Sequence, residues 1–129
     1  KGEVYARARF AITYENSRGA PGYLTEKIFD AMVWGCVPVY LGVRGATAEI
    51  PRACFIDADD FADEAALLCF LRSVTPAQHA DYQAAITEFL RGEAARPYTN
   101  EHFARTLVGA IADDLRALGV LGARPGAPG

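Results

Sequence analysis

Apolar residues in the first half of the chain form two short runs with a helical repeat between them. Residues 8–14 (ARFAITY) and 37–41 (VPVYL) are rich in apolar, aromatic and β-branched side chains, which is typical of strands buried on both faces. Between the runs, apolar residues recur at helical spacing: Ile28, Phe29, Met32 and Val33. A strand, a helix and a second strand within about thirty residues predict a right-handed βαβ unit with parallel strands.

Polar residues fill the segment that joins the first strand to the helix: Glu15, Asn16, Ser17, Tyr23, Thr25, Glu26 and Lys27. Ligands of open α/β sheets bind outside the carboxyl ends of the strands, where this segment is expected to lie. We expect the Thr25 hydroxyl to cap the helix, while the first-turn amides and Lys27 attract an anion. The pattern predicts a phosphate-bearing ligand. It is not one of two common nucleotide fingerprints, since neither GxxxxGK[ST] nor GxGxxG occurs.

Three stretches of this region carry a family resemblance. ENS at 15–17, YLTEK at 23–27 and VPVYLG at 37–42 resemble the signature of the α1,3/α1,4-fucosyltransferases, glycosyltransferase family 10, and CFIDADDF at 54–61 echoes a further family segment. Members transfer fucose from GDP-fucose to an acceptor sugar, and their GT-B fold has two Rossmann-like domains. The resemblance implies that residues 1–118 are the C-terminal, GDP-fucose-binding domain, an α/β fold with a Rossmann-like parallel sheet and flanking helices.

The resemblance also implies which domain binds the donor and which domain supplies the catalytic base. The seven polar residues of the joining segment would bind the donor. The base that deprotonates the acceptor hydroxyl would belong to the N-terminal domain, so no catalytic residue is expected in this chain. Donor binding would need no metal or other cofactor, and this chain alone would bind GDP-fucose without transferring fucose. The chain departs from the family in two ways. The family's upstream basic residue, which helps to bind the phosphates, is absent. The loop between ENS and YLTEK contains RGAPG at 18–22, which bears on the position of Tyr23.

Each candidate residue also has a purely structural interpretation. Glu26 suits ribose or sugar hydroxyls, yet acids are common in the first turn of any helix. Tyr23 contacts the donor or anchors the loop through its ring, and Asn16 and Ser17 hold phosphate or make local turns. Lys27 meets the diphosphate or is a solvated helix residue. Its first-turn position favours the diphosphate, because the helix dipole disfavours a cation there.

Composition narrows the class of protein. With 129 residues, 51% of them hydrophobic, the chain has the size of one domain. A net charge of −3 and a pI near 5.3 give no basic surface for nucleic acid. No run reaches the roughly 18 apolar residues of a membrane span, so membrane association is expected only through segments outside this chain.

The chain begins at Lys1 without an initiator Met, and we expect it to be a piece of a longer protein. Its partners would be GDP-fucose and an acceptor oligosaccharide or glycoconjugate. Its location is open: cytoplasmic or membrane-peripheral in a bacterium, Golgi-lumenal in a eukaryote. Two other functions also stay open, a GT-B transferase of another nucleotide sugar and a non-catalytic interaction domain that kept the fold.

Isolated residues of special chemistry are expected to serve packing. Three widely spaced cysteines lie among apolar residues, which indicates buried thiols and not a disulfide framework or a zinc site: Cys36, Cys54 and Cys69. Trp34 closes the first helix and is expected in the core. His79 and His102 lack companions at ligand or triad spacing and are expected at the surface or in packing contacts.

After the second strand, the chain predicts a loop over residues 42–52 and a third strand over 53–56. Aspartates follow at Asp57, Asp59 and Asp60. They suggest a metal site or a helix start, and we favour Asp60 as the cap and Asp63 as a first-turn acid before an apolar helix over 65–71.

Two further helices have clear sequence signals. Thr75-Pro76-Ala77-Gln78 predicts a capping box at the start of a helix that ends near Leu90. Thr99 or Asn100 opens a last helix with one apolar stripe: Phe103, Leu107, Ile111 and Leu115. Residues 119–129 are rich in Gly and Pro and are expected to be disordered.

Overall fold

A three-stranded parallel sheet organises the chain, which a computed structural model describes over residues 7–17 and 21–120. The strands follow one another in space in the order of the sequence: β1 (Phe10–Tyr14), β2 (Val37–Leu41) and β3 (Ile56–Asp57). Four helices accompany them in the described residues: α1 (Lys27–Val33), α2 (Glu64–Ser73), α3 (Pro76–Arg91) and α4 (Asn100–Ala117). Short 3₁₀ segments occupy Arg52–Cys54, Ala58–Asp60 and Glu93–Tyr98.

The register aligns the carboxyl ends of the strands at one edge of the sheet. Tyr14, the last residue of β1, pairs with Leu41 at the end of β2. Tyr40 of β2 pairs in turn with Asp57 at the end of β3. Helix α1 connects β1 to β2 and packs on both strands. The predicted parallel βαβ unit is therefore confirmed, in a small α/β fold consistent with a Rossmann-like domain.

The core is built around β2, whose residues are buried on both faces as predicted. Helix α1 contributes Ile28, Ala31 and Met32 to this core. Strand β1 differs from the prediction, because Ile12 is 61% exposed. Ala11 and Thr13, which point to the other face, are buried, so one face of β1 packs in the core and the face that carries Ile12 is open to solvent.

Trp34 is also more exposed than predicted, at 51%. Helix α1 ends at Val33, Trp34 is its C-cap residue, and Gly35 follows in the left-handed conformation with φ of +81°. That conformation is accessible to glycine and turns the chain sharply into β2. The indole is left at the end of the helix, outside the apolar stripe that packs on the sheet.

Two capping predictions had different outcomes. Thr75 and Gln78 form the predicted capping box at the start of α3, which ends at Arg91 before Gly92. The cap of α2 is Asp63, whose carboxylate accepts the Ala66 N–H at 2.8 Å. The prediction of Asp60 as that cap is wrong, because Asp60 belongs to a preceding 3₁₀ turn.

The third strand is shifted from its predicted position. The prediction placed it at residues 53–56, whereas β3 covers Ile56–Asp57. Residues Arg52–Cys54 instead form a 3₁₀ turn, in which the Cys54 N–H donates to the Pro51 carbonyl at 2.8 Å. An apolar run of four residues does not distinguish a strand from a buried turn, and local hydrogen bonding decided the outcome.

His79 makes packing contacts, in agreement with its prediction. Its ring packs edge-on against Phe10 with centroids 5.7 Å apart, and Nε2 lies 3.0 Å from the Arg9 carbonyl oxygen. The Arg9 guanidinium donates to the Val74 carbonyl at 2.9 Å, at the end of α2. These contacts tie the start of β1 to the junction of α2 and α3.

The chain divides into two compact units after Ala94. The second unit contains α4, which begins at Asn100 as predicted, with Thr99 accepting the His102 N–H at 3.2 Å. Residues 121–129 of the predicted disordered tail lie outside the described residues. No helix within the described ranges combines the length and the apolar character that crossing a membrane requires.

The cysteines are free thiols, as predicted, but the prediction that all three are buried is wrong for one of them. Cys36 and Cys54 are buried, Cys69 is exposed, and no disulfide joins them. Cys69 lies on α2, where Leu67 is buried but the neighbouring Leu68 is 45% exposed. Burial raises the pKa of the Cys36 and Cys54 thiols, with Glu88 adding to the effect at Cys54.

We expect thiol alkylation of the native protein near neutral pH to modify Cys69 quickly and Cys36 and Cys54 slowly. The reacting species is the thiolate, and burial both excludes the reagent and raises the pKa of the two core thiols. Mass spectrometry of alkylated peptides over time measures the three rates, and a urea-unfolded sample in which all three react is the control. Cys36 reacting as fast as Cys69 in native protein would contradict the packing described here.

Candidate functional site

The Glu15 carboxylate lies at the centre of the polar segment that follows β1. Glu15 extends the sheet by one hydrogen bond, since its N–H donates to the Leu41 carbonyl at 2.8 Å. Its side chain is fully inaccessible to solvent. Oε1 accepts the Thr25 N–H and Oε2 accepts the Thr25 hydroxyl, both at 2.7 Å. Both carboxylate oxygens therefore hold the same residue, across the loop that leads to α1.

This arrangement corrects the predicted role of Thr25. Its hydroxyl donates to Glu15, and α1 begins at Lys27 with Glu26 at the N-cap position. The Glu26 side chain makes no capping hydrogen bond. A charged carboxylate is a stronger partner for the hydroxyl than a first-turn amide, because charge-assisted hydrogen bonds are about twice as strong as neutral ones. The sequence shows a threonine before an apolar repeat, but it does not show that the Glu15 carboxylate competes with the first-turn amides for the threonine hydroxyl.

Lys27 reaches back from the first turn of α1 to the end of β1. Its ammonium donates to the Tyr14 carbonyl at 2.9 Å and to Asn16 Oδ1 at 2.9 Å. Glu15 Oε2 lies 3.8 Å from the same nitrogen, and the Lys27 side chain is 30% exposed. An ammonium has three N–H donors, so Lys27 links strand, loop and helix and still presents a surface to solvent.

The orientation of the Asn16 amide follows from this contact. Lys27 is only a donor, so the oxygen of the amide faces it and the NH₂ group points to the other side. Asn16 is exposed. Two N–H donors are therefore presented at the loop surface beside a cation, and they are chemically suited to anionic or hydroxyl oxygens.

The other three predicted residues differ in how far they are exposed to solvent. Ser17 and Glu26 are exposed, and Tyr23 is half-buried. The structure thus joins Glu15, Asn16, Thr25 and Lys27, which we call the Glu15 cluster. Residues 18–20, which precede Tyr23, lie outside the described residues.

A second polar group at the same edge of the sheet was not predicted as part of the site. Arg52 donates to Asp57 Oδ2 at 2.8 Å and to Asp60, and Asp57 Oδ1 accepts the Asp59 N–H at 3.0 Å. The aspartates therefore serve local structure, while Tyr40 of β2 lies beside Asp57 in the sheet. The sequence could have marked Tyr40 as a candidate site residue, since the hydroxyl of a phenol in a buried strand usually finds a hydrogen-bond partner.

No set of three His, Cys, Asp or Glu side chains within the described part of the chain is arranged to hold a metal ion. The cation in the Glu15 cluster is the Lys27 ammonium. The side chains of the cluster themselves offer hydrogen bonding and charge stabilisation.

Comparison with known proteins identifies the family to which these residues belong. Residues 2–86 match the family described as glycosyltransferase family 10 (fucosyltransferase), C-terminal region. Alpha-(1,3)-fucosyltransferase 4 of Mus musculus is 44% identical over 69 residues, covering 51% of this chain and 16% of that protein. Alpha-(1,3)-fucosyltransferase 7 of Mus musculus is 38% identical over 82 residues, covering 61% and 21%. Alpha-(1,3)-fucosyltransferase FucT of Helicobacter pylori is 34% identical over 61 residues, covering 47% and 13%.

The chain spans about a fifth or less of the length of these relatives. No solved structure gives a significant match to it. The family match nevertheless covers more than half of the chain and includes the Glu15 cluster together with all three strands. On that match, the chain belongs to glycosyltransferase family 10, in the C-terminal region of that fucosyltransferase family.

Proposed function

We propose that this chain is the donor-binding part of an α1,3-fucosyltransferase that transfers fucose from GDP-fucose to a hydroxyl of an acceptor glycan. Family membership and relatives named as alpha-(1,3)-fucosyltransferases support the reaction class. The Glu15 cluster, where an ammonium and an outward amide meet beyond the end of β1, is the observation that carries the donor-binding role. The proposal includes a GT-B architecture, in which this region is the C-terminal Rossmann-like domain.

The reaction proceeds with inversion in this proposal. An acceptor oxygen attacks C1 of the β-linked fucose, the bond from C1 to the phosphate oxygen breaks, and an α-fucoside and GDP are formed. The acceptor proton goes to a base in the N-terminal domain of the whole protein. Negative charge develops on the departing diphosphate, and stabilising that charge in the transition state lowers the barrier. This chain's residues act at that end of the reaction.

The hydrogen bonds of Lys27 support its proposed role at the diphosphate. Two of its three donors are directed to Tyr14 and Asn16, and Glu15 at 3.8 Å is beyond ordinary hydrogen-bond length. The third donor can therefore turn to a phosphate oxygen at little cost. The Asn16 NH₂ group supplies two further donors beside it.

Glu26 and Tyr23 complete the proposed donor site with Ser17. Glu26 is exposed at the start of α1 and is not used as a cap, so its carboxylate can accept hydrogen bonds from ribose or fucose hydroxyls. Tyr23 is half-buried two residues before Thr25, which Glu15 fixes in place. Thr25 and Glu15 act indirectly in this proposal, by holding the loop in the conformation that presents the others.

The first prediction concerns nucleotide specificity. We expect the chain to bind GDP, with GDP-fucose of similar affinity and UDP clearly weaker, because the nucleoside and the diphosphate supply most of the contacts in this half of the enzyme. Isothermal titration with GDP, GDP-fucose, GDP-mannose and UDP measures the differences. Equal affinity for GDP and UDP would remove the guanine assignment, and no binding of any nucleotide would favour an interaction domain.

The second prediction concerns Lys27. Lys27→Ala removes a charge-assisted hydrogen bond to the diphosphate that is worth about 1.5–3 kcal/mol, so we expect GDP to bind roughly ten- to a hundredfold more weakly. Lys27→Arg should not restore full affinity, because a planar guanidinium does not fit between Tyr14 and Asn16 as a compact ammonium does. Titration at two salt concentrations, below the melting temperature of each variant, measures the effect.

Arg72→Ala is the matched control, because it removes an exposed cation from the last turn of α2, remote in sequence from the cluster. It should leave GDP affinity unchanged. A folded Lys27→Ala protein that binds GDP as well as wild type would show that Lys27 only braces the loop.

The third prediction concerns Glu15. Glu15→Gln keeps the size of the side chain but removes its negative charge and replaces one accepting oxygen by an NH₂ group, so only one of the two Thr25 donors keeps an acceptor oxygen. We expect a loss of about 1–3 kcal/mol in stability and weaker GDP binding, since the loop is no longer held. Thermal unfolding and GDP titration measure both effects. Glu101→Gln, at a carboxylate that is 80% exposed, is the control and should change neither. A Glu15→Gln protein as stable as wild type would disprove the clamp.

A further inference from the structure

Helix α4 carries an apolar stripe that is open to solvent. The stripe consists of residues spaced four apart, as the sequence predicts: Phe103, Leu107, Ile111 and Leu115. Phe103 is 67% exposed, and Leu107 and Ile111 are half-exposed. Val108, beside the stripe, is also exposed. We call this surface the α4 stripe.

The exposure of the stripe leaves α4 short of stabilising contacts. None of its 18 residues is buried. Most of the stability of a helix in a protein comes from packing of its apolar face. The ion pairs of Glu101 with Arg105 and of Asp113 with Arg116 lie at the surface, where such pairs contribute little. We therefore expect the stripe to be covered in solution.

The stripe is complementary to itself when two copies of α4 run in opposite directions. Its four positions are symmetric about residue 109, so a two-fold axis at that level places Leu107 of one copy opposite Ile111 of the other. Phe103 then lies opposite Leu115. Rows of residues four apart are the ridges that interdigitate in the commonest class of helix packing. The same surface would be used by both copies, as a closed two-fold dimer requires.

The charge on this face favours the antiparallel direction. Asp114 lies three residues after Ile111 and seven after Leu107, on the side of the helix that carries the stripe. Parallel helices would place two Asp114 carboxylates side by side and align the two helix dipoles. Antiparallel helices would place each Asp114 opposite Ala104, with the two carboxylates about 15 Å apart along the axis. Salt screens most of the repulsion at that distance.

The size of the stripe sets the expected affinity. A helix of 18 residues is about 27 Å long. Two stripes with their flanking residues would bury on the order of 1,000 Å² in total, at the lower end for specific interfaces. We therefore expect a dissociation constant in the micromolar range.

We propose that α4 is a dimerisation element, in which the α4 stripe of one copy packs antiparallel on the α4 stripe of a second copy. The helix lies after residue 86, where the match to the family ends. It contains none of the residues of the proposed donor site. The inference is therefore independent of nucleotide binding.

Sedimentation equilibrium of the 129-residue chain tests the proposal over concentrations from about 1 to 300 μM, a range that spans micromolar dissociation constants. We expect a monomer–dimer equilibrium. Leu107→Asp puts a charge at the centre of the stripe and should keep the chain monomeric throughout. Thr106→Asp is the matched control, because it adds the same charge at the neighbouring exposed position, off the stripe. It should leave the equilibrium unchanged.

Leu107→Ala covers the case in which Leu107→Asp unfolds the helix. Alanine has the highest helix propensity, so this variant removes the contact without weakening α4 itself. We expect its dissociation constant to rise roughly tenfold. Circular dichroism of each variant reports whether the helix is retained.

Disulfide formation tests the direction of the helices. Cys69→Ser first removes the exposed thiol, and Phe103→Cys and Leu115→Cys are then introduced in separate chains. Under mild oxidation, a mixture of the two chains should give the mixed dimer, since these positions lie opposite each other, while each chain alone should give little. Rapid dimer formation by each chain alone, without the mixed product, would show that the helices are parallel.

Two further results would overturn the inference. One is a wild-type chain that stays monomeric at the highest concentration. The other is a Leu107→Asp chain, helical by circular dichroism, that dimerises as tightly as wild type, because the contact would then lie elsewhere. Neither result depends on GDP, so failure of this inference is distinguishable from failure of the proposed function.

Discussion

The rest of the candidate site depends on the hydrogen bonds of the buried Glu15 carboxylate. Both of its oxygens hold Thr25, one through the backbone and one through the hydroxyl, while its own backbone continues the sheet through Leu41. A carboxylate with no solvent exposure is stable only when charged or polar partners surround it. Thr25 supplies the hydrogen bonds and Lys27 supplies the opposite charge. The start of α1 is thereby fixed to the end of β1 by one side chain.

This constraint explains why a short helix can present a cation in its first turn. The helix dipole is unfavourable to Lys27, but the ammonium is drawn out of the first turn by the Tyr14 carbonyl and by the Asn16 amide oxygen. Its charge is placed at the strand end, where parallel α/β folds bind ligands. Glu15 and Asn16 of ENS and Thr25 and Lys27 of TEK thus form one hydrogen-bonded unit, in which Glu15 and Thr25 support and Asn16 and Lys27 face outward.

The sequence allowed the sheet to be predicted more reliably than the details around it. Continuous apolar character located β2 correctly, and the capping box located α3, because these signals depend on neighbours along the chain. Trp34 and Cys69 were misplaced because apolar character alone does not say which face of a helix meets the sheet. The role of Thr25 was missed for a related reason: its partner Glu15 is ten residues away. The seven candidate residues remain a prediction from the motif, and which of them are hydrogen-bonded to one another could be read only from the fold.

The two polar groups at the carboxyl edge of the sheet expose different chemistry. Lys27 and the Asn16 NH₂ group offer donors at the end of β1, whereas the aspartates beyond β3 are acceptors, of which Asp57 and Asp60 are paired with Arg52. A nucleoside diphosphate sugar has the same asymmetry, since its charge is confined to the diphosphate and the sugars carry neutral hydroxyls. If the donor lies along this edge, its diphosphate meets the donors at the end of β1, and its hydroxyl groups extend toward the acceptors beyond β3. The Glu15 carboxylate, which fixes the start of α1 to the end of β1, then holds the diphosphate side of that arrangement in place.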